Sequence, residues 1–326
     1  MRRDGAYAMS SVKPIRTRFR GYQLGEAGSS FSHFADGHFT LLEAMITDLS
    51  HPQLRFELAI CGKRAADTLH ITSWDLDHCK PSSLEWILDN LCPSKIEHPG
   101  YQPHTDSGRE SLWMIEAYRR KRKIGGHTVV VQAIGPPYIA SLETAQSLGY
   151  RDIFYHPRQL HDKANNNSSI KFFRRGSFNV LSLGDVEAPE IAAMLRRCRM
   201  LCREVDVMIL AHHGADNGFT TKRLLEELKP RVAICSSDYD NRFEHPRDEI
   251  RTLLHEQGIR LFTTKTGDVI IESIGSHAAD YQVTNLISDS KRVSTAVKYR
   301  ARKFELLSMN ADAIRNVVRP GFKGLR

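Results

Sequence analysis

The stretch Ile71-Thr-Ser73-Trp-Asp75-Leu-Asp77-His78 decides the fold prediction for this chain. It continues an apolar run from Asp67 that is typical of a buried strand, so its acidic and imidazole side chains come where that strand ends. Strand ends are where layered α/β folds place their chemistry, and zinc and manganese accept both kinds of side chain as ligands. Taken alone, Asp75 and Asp77 are more typical of residues that cap a helix, here the one that begins at Pro81.

Two further motifs follow predicted strands in the same way. Gly184-Asp185 ends an apparent hairpin over residues 170–183, and His212-His213-Gly214 follows a predicted strand over residues 205–210. Individually they indicate a turn and a buried, hydrogen-bonded histidine pair at least as readily as they indicate ligands. Because no single element offers enough ligands, the three motifs together predict a metal centre built from converging loops.

Composition limits the classes of protein that this chain can be. Its 326 residues, 41% of them apolar, can bury one large core or two modest ones. No apolar run approaches the roughly 18 residues that span a membrane, and the N-terminus lacks the apolar stretch of a secretion signal. We therefore expect a cytoplasmic protein without a membrane segment. The six cysteines show no pair at two-residue spacing, which predicts reduced thiols.

The formal charge of +8 is concentrated near the C-terminus. Residues 291–326 hold ten basic and two acidic residues, which accounts for the whole excess. Such a segment is typical of one that binds a phosphate backbone, and equally typical of a solvated terminus. The basic run 119–123, at the end of a predicted helix, allows the same two interpretations. The residues predicted to contact nucleic acid are Arg119, Arg120, Lys121, Arg122, Lys123, Arg300, Arg302 and Lys303.

Five motifs, in order along the chain, resemble the metallo-β-lactamase superfamily and, within it, the DNA-processing domain of ComEC-type competence proteins. They are the glycine-rich opening at 21–29 with Ala35-Asp36-Gly37, the signature at 71–78, the asparagine-rich 165–168 leading to 181–187, the histidine pair at 210–215, and the histidine-proline turn at 241–246. The resemblance covers residues 18–275. It implies an αβ/βα sandwich of two mixed β-sheets flanked by helices. Residues 1–17 would then be an N-terminal extension, 80–126 a helical insertion or lid, and 276–326 a basic tail.

The resemblance also implies the ligand set. Asp77, His78 and one of His212 and His213 would hold one divalent ion, and Asp185 would bridge to a second ion on Asp75 and the loop 165–167. Asp77 and Asp185 would be the catalytic residues, with one or two ions of zinc, manganese or magnesium. Further residues that could serve the second site or the substrate are Ser73, Asn166, Asn167 and His245. A histidine before a proline is about as often only the cap of the next helix.

Two positions depart from the family pattern. Ser73 stands where the signature has its first histidine, and Glu43 stands where an aspartate that supports the site is expected. With Ser73 and Asp75 the second site would be all oxygen, which favours magnesium or manganese there, or leaves it empty.

These observations lead to three functional hypotheses. The first is a metal-dependent phosphodiesterase, a nuclease acting on DNA or RNA. The second is a degenerate relative that binds nucleic acid, or a protein partner from a neighbouring gene, without turnover. The third is hydrolysis of a small molecule, for which the basic tail would be incidental. The sequence leaves the oligomeric state open.

Overall fold

The computed structural model describes residues 14–143, 151–287 and 292–309. Its strands, in chain order, are β1 (Thr17–Gly21), β2 (Phe31–Ala35), β3 (His38–Leu42), β4 (Thr68–His70), β5 (Lys95–Pro99), β6 (Val130–Ile134), β7 (Ile153–His156), β8 (Ile170–Phe173), β9 (Val180–Ser182), β10 (Val207–Ile209), β11 (Val232–Cys235), β12 (Arg260–Thr263), β13 (Val269–Ile274), β14 (Asp280–Leu286) and β15 (Val293–Arg300). Its helices are α1 (Ser50–Ile60), α2 (Pro81–Asn90), α3 (Asp106–Ile124), α4 (Pro136–Glu143), α5 (Pro189–Arg196), α6 (Arg199–Glu204), α7 (Lys222–Leu228), α8 (Asp248–Glu256) and α9 (Arg302–Met309).

The strands form two mixed sheets, which confirms the predicted fold class. One sheet has the order β15-β14-β13-β1-β2-β3-β4-β5-β6, and the other has the order β12-β11-β10-β9-β8-β7. Strands β3 to β6 are mutually parallel, as are β9 to β12, while hairpins supply the antiparallel pairs. The predicted hairpin at Asp36-Gly37 joins β2 to β3, and both turn residues have positive φ, at 51° and 75°. That conformation matches the twist of paired strands and explains the Asp-Gly pair.

Apolar side chains hold four layers together. The two sheets pack on each other through buried residues such as Phe19, Phe178 and Val207. A second cluster joins the outer face of the larger sheet to α1, α2 and α3, and a third joins the outer face of the smaller sheet to α5, α6, α7 and α8. Each fully buried large side chain contributes about 1.5–3 kcal/mol of transfer free energy. Among the described residues, no helix is both long and apolar enough to cross a membrane.

Residues 80–126, predicted to be a helical insertion or lid, contain a strand of the larger sheet as well as helices. Its two helices, α2 and α3, flank β5, which pairs in parallel with β4 and β6. Ile87 and Ile115 are fully buried together with Ile96 of β5. The segment is therefore an ordinary strand-and-helix layer of the sandwich.

The described part of residues 276–326, predicted to be a basic tail, contains two strands and a helix. Strands β14 and β15 extend the larger sheet beyond β13, and Tyr281 and Val283 are fully buried in the core between the sheets. Most of the predicted N-terminal extension (residues 1–13) and residues 310–326 lie outside the described residues.

The parallel strands determine where the motifs meet. The signature at 71–78 follows β4, Gly184-Asp185 follows β9, and His212-His213 follows β10. Carboxyl ends of parallel strands come out at one edge of a sheet, and in a sandwich two such edges lie side by side. All three motifs therefore reach the same edge of the sandwich.

Candidate metal centre

Four side chains from these three loops come together at that edge. Asp77, His78, Asp185 and His213 each offer one ligand atom, and these atoms all lie within 4.8 Å of one another. His78 Nε2 lies 2.9 Å from Asp185 Oδ2, and His213 Nε2 lies 3.4 Å from Asp77 Oδ2. Two carboxylates and two imidazoles at these separations form a mixed oxygen and nitrogen site of the kind that zinc and manganese accept.

Both imidazoles are oriented by partners on their far side. Nδ1 of His78 lies 3.2 Å from Glu43 Oε1, and Nδ1 of His213 lies 2.8 Å from the carbonyl oxygen of Ser236. A carboxylate or carbonyl behind a histidine fixes the tautomer that presents Nε2 to a metal. Glu43 therefore takes the supporting role expected of an aspartate. It also accepts hydrogen bonds from the backbone N–H and the hydroxyl of Thr72, at 2.9 and 2.6 Å.

Charge is balanced within the cluster by protons on the imidazoles. Burial disfavours the charged form of His78, but the carboxylates of Asp185, Glu43 and Asp77 outweigh it and raise the pKa of His78 well above its ordinary value. Burial also disfavours the charged form of His213, but its contact with Asp77 outweighs burial and raises the pKa of His213. His78 in turn holds the pKa values of Asp77 and Asp185 below their ordinary range, although burial opposes this. A divalent cation carries the same charge as the two imidazolium protons that it would replace.

The residues present fit a bound cation. Nε2 of His213 is buried and faces Oδ2 of Asp77 at 3.4 Å, which is longer than the usual hydrogen bond. A metal ion among the four side chains would accept an electron pair from each of these two atoms.

Local backbone geometry brings the loops this close. Gly28, with φ 148°, lies against the metal loop, and an added Cβ would come within 3.0 Å of the carbonyl oxygen of Asp77. The neighbouring Ser29 donates its N–H to that oxygen at 2.8 Å. Gly184, with φ 57°, accepts a hydrogen bond at its carbonyl from the N–H of His212 at 3.0 Å. The glycine-rich opening of the sequence thus packs directly on the metal loop.

The structure places His213, and not His212, in the four-residue cluster. Both residues have left-handed backbone angles, with φ of 52° and 45°, so the chain turns sharply and the two rings diverge to 6.3 Å between centroids. His212 instead places Nδ1 2.8 Å from Glu187 Oε1. Non-glycine residues in this conformation cost about 1–3 kcal/mol each and are concentrated at functional sites.

Ser73 and Asp75 do not join the four-residue cluster. The Ser73 hydroxyl donates to Asp75 Oδ2 at 2.8 Å and lies 3.3 Å from the hydroxyl of Tyr101, which also accepts from the N–H of Trp74 at 3.4 Å. Tyr101 comes from the loop after β5, and its sequence context gave no sign of this role. The position that the family signature gives to a histidine is therefore part of a hydroxyl and carboxylate chain.

The amides of the asparagine loop, predicted as ligands or substrate contacts, are hydrogen-bonded to main-chain groups. Asn166 Oδ1 accepts from the N–H groups of Glu187 and Ala188, at 2.8 and 2.9 Å. Asn167 exchanges two hydrogen bonds with the backbone of His161, at 2.7 and 2.8 Å. These amides fix the shape of the loops beside the metal centre rather than face into it.

His245 lies beside the centre without belonging to it. Its ring is parallel to that of His213, with centroids 6.3 Å apart, and stands edge-on to that of His212 at 5.8 Å. Burial and the two neighbouring histidines lower the pKa of His245 to about 4. A neutral ring at this position is available to a substrate.

The basic residues predicted to bind nucleic acid lie away from the metal centre. Helix α3 begins beside the metal edge, after β5, and runs about 28 Å to the opposite edge, where residues 119–123 lie. Strand β15 also ends at the opposite edge, because Arg300 pairs with Asp280 at the far end of the sheet. These residues do not line the metal centre.

Two of these residues are structural. Lys303 is buried and donates to the carbonyl of Arg174, the carbonyl of Gly176 and Oδ1 of Asn179. Arg302 donates to main-chain carbonyls, including that of Cys202 at 2.5 Å and that of Leu228 at 2.5 Å. These contacts use the donors of both side chains within the fold, which argues against their predicted contact with phosphates.

Comparison with known proteins adds one sequence relative. No protein-family profile matches the chain. Over 136 residues it is 26% identical to ComE operon protein 3 of Bacillus subtilis (strain 168), and this alignment covers 40% of the chain and 17% of that protein. The chain thus corresponds to a small part of that relative's length.

Three solved structures are similar in outline. A putative metal-dependent hydrolase from Parabacteroides distasonis ATCC 8503 aligns with 72% of the chain and 88% of its own length, at 12% identity and a TM-score of 0.38. Igni18, a metallo hydrolase from the archaeon Ignicoccus hospitalis KIN4/I, aligns with 78% and 98%, at 14% identity and a TM-score of 0.43. The E377D mutant of the CmlA beta-hydroxylase aligns with 78% and 53%, at 12% identity and a TM-score of 0.44.

The sheet order, the helical outer layers and the meeting of the signature motifs at one edge agree with the ComEC-type sequence resemblance. This chain is a sandwich of two mixed β-sheets flanked by helices, the fold that its sequence resemblance to the metallo-β-lactamase superfamily implies.

Proposed function

We propose that this protein is a metal-dependent phosphodiesterase that acts on nucleic acid with one divalent ion, held by Asp77, His78, Asp185 and His213. The observation that carries the proposal is the convergence of four ligand atoms from three separate loops within 4.8 Å of one another. A divalent ion at such a site acts as a Lewis acid on a phosphoryl oxygen and makes hydroxide available near neutral pH.

The protein's own residues supply position and charge. Glu43 and the carbonyl of Ser236 hold the two imidazoles in the tautomer that a cation needs. Asp77 and Asp185 supply two negative charges, so that the ion and its ligands are close to neutral before an anionic substrate binds. The neutral ring of His245 has its centroid 6.3 Å from that of His213, close enough to contact a phosphodiester bound at the ion.

A single ion fits better than two. The expected ligands of a second ion were Ser73, Asp75 and the loop 165–167, and the structure uses these groups elsewhere. Ser73 and Asp75 bond to each other, and the amide oxygens of Asn166 and Asn167 accept from main-chain N–H groups. Asp75 and Asp185 alone would give a second ion too few ligands, since metal sites of this kind use at least three protein ligands.

The sequence similarity to ComE operon protein 3 supports the ComEC-type assignment on which the nucleic-acid substrate depends. The net charge of +8 favours a polyanionic partner. Completeness of the four-residue cluster favours turnover over the degenerate alternative, which was suggested by Ser73 and Glu43. Ser73 lies outside the cluster, and Glu43 replaces its expected aspartate without loss of the contact to His78.

A cleavage assay tests the proposal. Labelled single- and double-stranded DNA and RNA are incubated with the full chain in Mn²⁺ or Zn²⁺, and the products are separated by size. We expect cleavage that needs the metal and falls by a factor of about 10³ or more in Asp77→Asn and Asp185→Asn. Asp48→Asn, an exposed carboxylate outside the cluster, is the matched control and should cleave normally. Undiminished cleavage by both cluster variants, with circular dichroism showing a native fold, would overturn the proposal.

A further inference from the structure

A row of rings leads outward from the metal centre. The His213 ring, a metal ligand on its Nε2 side, is parallel to the ring of His245 within 8°, with centroids 6.3 Å apart. The ring of Phe243 stacks on His245 at 5.6 Å and 22°. The guanidinium carbon of Arg242 then lies 4.6 Å from the centre of the Phe243 ring. We call His213, His245 and Phe243 the aromatic row.

The outer end of the row is exposed. Phe243 is 52% exposed, and Tyr239 on the same loop is 69% exposed, although both are large and apolar enough to be buried in a core. Asn241 holds this loop in shape, since its side chain exchanges hydrogen bonds with the backbone of His245 at 2.6 and 3.0 Å. The inner face of Phe243 meets His245 and its outer face meets the guanidinium of Arg242, so a flat ligand would take the place of Arg242 on Phe243 or stack on the guanidinium itself.

The charges on this loop do not suit it to bind a phosphate backbone. Asp238, Asp240 and Glu244 outnumber Arg242 and Arg247, and Arg247 is paired with Glu244 at 2.8 Å. The basic residues that could follow a phosphate backbone lie at the opposite edge of the sandwich. This loop therefore carries exposed aromatic rings and no net positive charge.

We infer that the aromatic row is a base-stacking platform and that the substrate is a nucleic-acid strand with unpaired bases. This inference rests on the proposed function. A phosphodiester at the metal ion places the flanking nucleotide beside His245 and Phe243, where an unpaired base can stack on the outer face of Phe243 in place of Arg242. A base held in a duplex already has both faces covered by its neighbours and cannot stack on the row without being taken out of the helix. Arg242 adds a guanidinium plane that stacks on bases as it does on Phe243.

Oligonucleotide binding tests the inference without cleavage. The full chain is titrated in EDTA with a labelled single-stranded DNA of mixed sequence and with the duplex of the same sequence, and anisotropy gives each affinity. We expect the single strand to bind more tightly. Phe243→Ala should weaken single-strand binding about tenfold or more and change duplex binding little, and Phe243→Trp should restore the affinity. Phe56→Ala on α1, a phenylalanine with 50% exposure, is the matched control and should bind as the parent does.

Two further readouts separate stacking from other roles. The fluorescence of 2-aminopurine placed in the single strand should be quenched by the parent and much less by Phe243→Ala. The slope of log affinity against log salt should be the same in both, because stacking releases no counterions. Equal single-strand affinity in Phe243→Ala and the parent, or an equal loss for duplex, would overturn the inference. If Phe243→Ala weakens single-strand binding but the protein cleaves no nucleic acid, only the proposed function is overturned. If the protein cleaves nucleic acid but Phe243→Ala leaves single-strand affinity unchanged, only this inference is overturned.

Discussion

His213 reaches the metal centre because two successive residues adopt left-handed backbone angles. The turn sends the ring of His213 toward Asp77 and that of His212 toward Glu187. The sequence predicted that one histidine of this pair is a ligand but could not choose between them, since the choice depends on φ and ψ rather than on residue type. Asp77, His78 and Asp185 were predictable because each follows directly on a strand end.

The asparagine loop shows the opposite outcome. Asparagine is suited both to ligate a metal and to satisfy main-chain groups, and only the positions of the N–H groups of Glu187 and Ala188 decide between these roles. Ser73 is a similar case, because its partner Tyr101 is distant in sequence.

We expect a side chain at position 28 to disturb the metal loop as well as to strain the local backbone. Gly28→Ala places a methyl group 2.8 Å from Met45 Cε and 3.0 Å from the carbonyl oxygen of Asp77, so the metal loop must shift. We expect a loss of about 1–3 kcal/mol in the free energy of unfolding and a weaker affinity for Mn²⁺, measured by denaturant titration and by calorimetry. Gly37→Ala is the control, because Gly37 also has a positive φ, 75°, but has nothing within 4 Å of the added Cβ. It should lose stability and keep its affinity for Mn²⁺. Equal affinities in the two variants would contradict this account.

His33 should make the protein sensitive to acid. Its ring is buried beside Phe173, its Nε2 has no hydrogen-bond partner among the described residues, and burial lowers its pKa from 6.5 to about 4. The unfolded chain takes up this proton near pH 6.5, while the folded chain resists until about pH 4. The free energy of unfolding should therefore fall as pH drops through this window, by up to about 3 kcal/mol from His33.

The variant His33→Leu isolates this contribution. Its free energy of unfolding should fall less steeply between pH 6.5 and 4 than that of the parent, as measured by urea denaturation at several pH values. Identical slopes for the two proteins would show that His33 is not the group responsible.

Among the elements, β14, β15 and α9 differ most from the expectation. Strand β15 alternates exposed and half-buried residues, so its cations Lys298 and Arg300 lie on the exposed side and dominate the composition. The basic charge therefore suggested a tail, although the apolar side of β14 completes the core. Periodicity over a window as short as β14 is a weak signal, and burial of Tyr281 depends on Phe178 from the other sheet.

Segment 80–126 was misjudged for a related reason. Its two helices were predicted, but β5 contains only a short apolar stretch between Pro93 and Pro99, and these prolines indicated loops. Pro99 is the last residue of β5, a position that proline tolerates.

Lys303 should anchor α9 to the smaller sheet. Lys303→Met removes the donor to the carbonyls of Arg174 and Gly176 and to Asn179 Oδ1, and it leaves these buried acceptors without a partner. We expect the free energy of unfolding to fall by about 2–4 kcal/mol in thermal or denaturant measurements. Lys298→Met, an exposed lysine of β15, should change it by less than about 0.5 kcal/mol. A similar small effect at both positions would mean that the buried contacts of Lys303 contribute little.

At the scale of the whole molecule, the fold matters because it sets two parallel-strand edges side by side. Loops that are 107 residues apart in sequence, those of His78 and Asp185, thereby come within hydrogen-bond distance. The same topology puts the basic residues of α3 and β15 at the far edge, away from the candidate metal centre. The order of the motifs predicted that the loops converge. The position of the basic residues at the far edge could not be predicted, because it depends on the register of β14 and β15, which composition does not contain.

Metal content tests the central claim, that separate loops share one cation. The full chain is equilibrated with Mn²⁺, freed of excess by gel filtration and analysed for bound metal, together with Asp75→Asn, Asp185→Asn and His213→Ala. We predict about one ion per chain in the parent and in Asp75→Asn, and a large loss in the other two variants while they remain folded. No bound ion in the parent, or an ion retained in full by both Asp185→Asn and His213→Ala, would contradict the account.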